Sequence, residues 1–183
     1  MPAATRYTAE EGAIVGRNLP HFANRPIHCN NTDLYIAAGD RPLIRLIKRR
    51  RVLGAFELCV EVQSGPLPLQ ACADITMRYR AGLVSWELRD GRFAGAVTLE
   101  VGAPAGQDAA LLRLRASAPL EITWRYGGLA LVPGGPFNLD PLSEPGWLDR
   151  PFDEDLCAGS RAELDGGRFI LANDALWEPG ELR

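Results

Sequence analysis

The chain has 183 residues, 46% hydrophobic and 23% charged, with a formal net charge of −3, a balance that suits one globular domain with a real core and argues against disorder. Without a broad basic excess it offers no long-range attraction to nucleic acid or anionic lipid. No stretch approaches the roughly 20 apolar residues of a membrane helix, and Met1 to Asn18 lacks the apolar run of a signal peptide; the chain as written is expected in the cytoplasm, and in the periplasm or outside only if a leader was removed.

Along the chain, His21 and His28 lie in a Pro- and Asn-rich N-terminal stretch, where packed or exposed histidines are commoner than catalytic ones. Leu34 to Ala38 and Leu43 to Ile47 read as short strands. Lys48-Arg49-Arg50-Arg51 reads as a charged turn that discourages edge-to-edge pairing. Phe56, Leu58, Val60 and Val62 alternate with Glu57, Cys59 and Glu61, the pattern of a strand with one buried face.

The strongest local pattern is a three-stranded meander from Cys72 to Val101. An Ala81-Gly82 turn sets Tyr79 opposite Val84, Met77 opposite Trp86 and Ile75 opposite Leu88. Asp90-Gly91 suits a two-residue type I′ turn, which predicts Leu88 opposite Phe93, Trp86 opposite Gly95 and Val84 opposite Val97. In this register Trp86 is core and covers Gly95. The other face carries Asp74 opposite Arg89, Arg89 opposite Arg92, Thr76 opposite Glu87 and Arg78 opposite Ser85. It reads as a solvated surface, with Arg89 and Arg92 the one pair that invites an anion.

Leu112 and Leu114 alternate with Arg113 and Arg115, and Leu120, Ile122, Trp124 and Tyr126 alternate with Glu121, Thr123 and Arg125. A Ser117-Ala118-Pro119 connection predicts a second hairpin with both apolar sets on one side. Gly127 to Pro151 is Gly- and Pro-rich with little alternation and predicts a long ordered loop. Asp165-Gly166-Gly167 opens a strand at Arg168 to Ala172. Asn173 to Arg183 ends in Trp177-Glu178-Pro179-Gly180 and reads as a linker to a further C-terminal domain. No helical period is sustained anywhere. Nine or more short strands between Gly, Pro and Asp turns predict an all-β, antiparallel β-sandwich of two packed sheets, one domain over residues 1–183.

The chemistry-bearing patterns are sparse. Cys29, Cys59, Cys72 and Cys157 form no C-x-x-C pair, so zinc-ligand spacing is absent and buried thiols are expected; a Cys29–Cys157 disulfide stays open. Asp149, Asp153, Glu154 and Asp155 match no calcium-loop spacing. Ser160 lacks the second glycine of a nucleophile elbow. Gly127-Gly128 and Gly134-Gly135 are followed by no phosphate-binding signature. The reading is therefore no catalytic residue, no metal and no cofactor. Sugars stack their C–H faces on exposed rings beside hydrogen-bonding groups, which makes Trp147, Trp177 and Tyr126, with Asp140 nearby, the candidate ligand residues.

Asn30-Asn31-Thr32-Asp33 running into Ala38-Gly39-Asp40-Arg41-Pro42, then ITMRYRAG with its WELRDG continuation, then WRYGG, and FDEDLC before GRFIL, together resemble a bacterial family. Its members carry an N-terminal β-sandwich before a six-hairpin α/α barrel similar to glycoside hydrolases. The resemblance runs from about Gly16 to Trp177. Lys48 to Arg51 departs from it, the family being glycine-rich there, and Gly127 to Asp140 lacks the family's polar, basic continuation. What the resemblance implies is a non-catalytic accessory domain that packs on a following catalytic barrel and helps frame a carbohydrate cleft. The alternatives are a free-standing glycan-binding module and a small sugar epimerase using His21 or His28 as acid.

Overall fold

The computed structural model describes residues 7–19, 27–28, 34–48, 51–107, 109–127, 130–131, 161–165 and 168–172, with side chains omitted at 28, 51–52, 130–131, 162–165 and 168–172. Among these residues it is an antiparallel β-sandwich. One sheet has six strands in the order β1 (Tyr7–Glu10), β2 (Ala13–Arg17), β8 (Asp74–Arg80), β9 (Leu83–Arg89), β10 (Val97–Gly102) and β11 (Leu111–Ala116). The other runs β12 (Ile122–Gly127), β6 (Arg51–Val62), β5 (Ile44–Lys48), β4 (Leu34–Ala38) and β3 (Ile27–His28). Two further strands, β7 (Gly65–Pro68) and β13 (Ala130–Leu131), also pair with β6. A separate hairpin joins β14 (Arg161–Asp165) to β15 (Arg168–Ala172). The one helical element among the described residues is a 3₁₀ turn at Leu69–Ala71.

Period-two alternation decides the core. Ile36, Ile44, Leu58 and Val60 of the second sheet meet Ile75, Met77, Val84, Trp86, Leu88, Leu99 and Val101 of the first in one cluster. Trp86 is fully buried, and its indole Nε1 donates to the Gly39 carbonyl at 2.9 Å, tying the first sheet to the β4–β5 turn. In the same region the Tyr7 hydroxyl donates to Asp40 Oδ2. The Arg41 guanidinium donates to the Leu19 carbonyl at 3.2 Å and to the Gln70 carbonyl at 2.6 Å. Turn carbonyls inside the sandwich thus find donors, as buried polar groups must.

Along β8 and β9 the register is the expected one, with Tyr79 opposite Val84, Met77 opposite Trp86 and Ile75 opposite Leu88. The next connection differs. Leu88 pairs with Val97, Trp86 with Leu99 and Val84 with Val101, four residues later than a two-residue turn at Asp90-Gly91 requires. Asp90 acts as an acceptor instead: Oδ2 takes the Ala73 amide at 2.9 Å, and Oδ1 takes the Arg92 amide at 3.0 Å and its Nε at 2.7 Å. These bonds hold residues 90–96 in a wider loop, so Arg92 sits beside Asp90 and not opposite Arg89. Gly95 does not lie beneath Trp86 either. It has φ +76°, and a Cβ there would collide with Ser117 Oγ. Because the shift is even, every side chain keeps its face, and the predicted core stands.

Among the described residues, the two-residue turn with positive φ at both positions is Glu11-Gly12 (48° and 75°), between β1 and β2. That hairpin escapes the alternation argument because its strands are four and five residues long and mix small and polar residues.

Ser117 to Glu121 is also not a hairpin loop. β11 pairs with β10 in one sheet, whereas β12 pairs with β6 in the other. Ser117 closes the first ladder, its amide donating to the Ala96 carbonyl at 3.0 Å, and the Glu121 carbonyl opens the second by accepting from the Glu61 amide at 3.0 Å. Leu112, Leu114, Leu120 and Ile122 still share the interior, reaching it from opposite sheets.

Candidate functional site

β11 and β12 end their respective sheets and follow one another in sequence, so one flank of the sandwich is built from two edge strands. Their inward residues Leu112, Leu114, Leu120 and Ile122 are only partly buried. Beyond them on β12, Trp124 is 60% exposed. Its neighbour Phe56 lies at a ring-centroid distance of 6.1 Å, tilted by 37°. Phe56 in turn packs on Tyr126 at 4.5 Å and 35°. The three rings form a graded stack from the interior to solvent, with Trp124 outermost.

Tyr126 is the one candidate ligand residue within the described part; Trp147, Trp177 and Asp140 lie outside it, as do the Asp149 to Asp155 acids, His21, Cys29, Cys157 and the side chain of His28. The Tyr126 hydroxyl donates to the Leu53 carbonyl at 3.0 Å, and burial pushes it up to about 12. Its ring covers Gly54, where a Cβ would lie 2.5 Å from ring carbon Cζ. Aromatic cover of a strand glycine therefore occurs here and not at Trp86. Tyr126 supports the stack from behind, and the accessible ring is Trp124, which alternation groups with core residues. The signal that separates it is its strand's position at the sheet edge, a tertiary fact.

The opposite face of β12 is polar. The Thr123 hydroxyl donates to Glu61 Oε1 at 2.7 Å. Arg125 donates through Nε to Glu57 Oε1 at 2.8 Å and also through Nη2, while Gln70 Nε2 reaches Glu57 Oε2 at 2.9 Å. Glu57 is 1% exposed, and a buried carboxylate is tolerated when donors surround it in this way. Between the acids sits Cys59, buried and free, its thiol pushed up by burial and then by the Glu57 carboxylate. That shift disfavours the thiolate a nucleophile needs. Four residues of extended strand separate the Glu57 and Glu61 backbones by about 13 Å, and both carboxylates accept from neighbouring side chains, Glu57 from Arg125 and Gln70 and Glu61 from Thr123. The chemistry on offer here is hydrogen bonding and ring stacking.

The polar face of the meander is an ion-pair ladder. Glu87 meets Arg89 at 2.7 Å and Arg78 at 3.9 Å, all with side chains at least a third exposed. Exposed pairs of this kind contribute about 0–1 kcal/mol each. No group of three or more His, Cys, Asp or Glu side chains among the described residues is placed to hold a metal ion, and no described helix is long and apolar enough to cross a membrane. Comparison with protein-family models, with curated proteins and with solved structures finds no match.

Proposed function

We propose that this chain is a non-catalytic accessory β-domain of a carbohydrate-active protein, packing beside a following α/α-barrel catalytic domain and contacting glycan through the β11–β12 flank. The observation that carries this reading is Trp124, a large ring 60% exposed at a sheet edge and backed by Phe56 and Tyr126. A flat ring packed on Phe56, which is itself packed on Tyr126, offers a sugar C–H face a preorganised partner at little entropic cost.

Isothermal titration of the chain with a panel of oligosaccharides tests the contact. Trp124→Ala is expected to weaken binding about tenfold or more while leaving thermal stability nearly unchanged, because an exposed ring contributes little to the core. A panel that yields no heat with the unaltered chain sinks the glycan contact. The accessory role is tested by the sequence following Arg183 in the source gene, where an α/α barrel is the expected finding. A glycan-binding chain with no such neighbour would instead be a free-standing module.

A further inference from the structure

The outer face of the six-stranded sheet changes character toward its β11 end. Reading across the strands, one row is Arg80, Leu83, Gly102 and Leu111, the next Arg78, Ser85, Glu100 and Arg113, and the third Thr76, Glu87, Thr98 and Arg115. In the first row Gly102 has no side chain, leaving a shallow depression of about 370 Å³ between Leu83 and Leu111, bordered by Ala103, Glu100 and Arg113. Leu111 is 62% exposed at its rim. The depression adjoins the outer edge of β11, which among the described residues pairs with β10 alone.

Charge adds a direction. The chain as a whole is at −3, yet these three rows set Arg78, Arg80, Arg113 and Arg115 against two acids, Glu87, which meets Arg78 at 3.9 Å, and Glu100, which the Arg113 guanidinium engages. We propose that the β11 edge is a strand-addition site for an extended acidic peptide whose alternate residues read acid-x-acid-x-apolar. In antiparallel pairing the two acids fall opposite Arg115 and Arg113, and the apolar side chain falls opposite Leu111, whose own exposed side chain stands between it and Gly102. Backbone pairing supplies affinity and the alternate side chains supply selectivity. The same arginines disfavour a second copy of this chain: two-fold pairing centred on Arg113 would set that arginine against its own copy and Leu111 against Arg115.

The test uses the full chain and a fluorescein-labelled peptide with the core Glu-Thr-Glu-Thr-Leu, followed by polarisation. Saturable binding that weakens with added salt is expected, with none for the Lys-Thr-Lys-Thr-Leu counterpart. Combined Arg113→Glu and Arg115→Glu should cost about tenfold or more for the acidic peptide and create binding for the basic one. Leu111→Ser, at an exposed position that leaves circular dichroism unchanged, should weaken the acidic peptide alone. N-methylation of the peptide amides that face the edge should abolish binding. The proposal is overturned if the acidic peptide does not bind, if the N-methylated peptide binds as well as its parent, or if sedimentation shows a dimer of the free chain that Leu111→Ser dissolves.

Discussion

The Asp90 carboxylate accepts from the Ala73 amide, the Arg92 amide and the Arg92 guanidinium, and its side chain is 4% exposed. Removing it leaves two backbone amides and a guanidinium without their acceptor at the start of β8. Asp90→Ala is therefore expected to cost about 1.5–3 kcal/mol in urea unfolding, the range for hydrogen bonds to a charged group. Arg92 above all holds this carboxyl well below the usual carboxylate range. A group whose folded pKa is depressed stabilises the fold above its unfolded pKa and loses that contribution as pH falls. Stability should thus decline below about pH 4, near the unfolded value for Asp, and the decline should be shallower in Asp90→Asn. Equal acid sensitivity in the two chains would remove Asp90 from this role. Glu10, brought down to about 2 chiefly by Arg17, adds to the same trend from an exposed site.

At the level of elements, the two glycine turns of the meander separate backbone need from sequence habit. Gly82 stands at φ +78° between β8 and β9, where a side chain is strained whatever space surrounds it, whereas Gly91 lies outside the left-handed region and a Cβ there meets nothing within 4 Å. Gly82→Ala should cost about 1–2 kcal/mol, and Gly91→Ala should stay within about 0.5 kcal/mol. A tight Asp90-Gly91 hairpin would make both substitutions costly, so thermal melts of the two variants discriminate between the registers. The Ser117 to Glu121 crossover shows the same limit. Alternation shows that Leu114 and Ile122 both face inward, but a hairpin and a crossing between sheets satisfy that pattern equally.

For the whole molecule, Trp86 joins the two layers, packing among both inner faces and donating to Gly39 across them. Trp86→Ala removes the largest fully buried side chain among the described residues and should cost about 3–5 kcal/mol in chemical denaturation; a loss under about 1 kcal/mol would show that the layers are held elsewhere. Cys72, buried and free beneath the same core, has its thiol pushed up to about 11 by burial and then by Asp90. Cys72 thus behaves as a small apolar residue of the core.

Strand alternation and turn chemistry alone determined the all-β class, which residues of β6 and of β8 to β10 face inward, and the β8–β9 register, because the period of two is local and the Ala81-Gly82 turn respects it. Tertiary structure decided which sheet each strand joins, that Asp90 anchors a wide loop, and that Trp124 stands on an edge while Tyr126 lies over Gly54. Those facts depend on contacts between segments far apart in sequence, such as Phe56 with Trp124 and Asp90 with Ala73. The candidate site was therefore only half legible: its rings could be named from the sequence, but which ring meets solvent is set by where its strand ends a sheet.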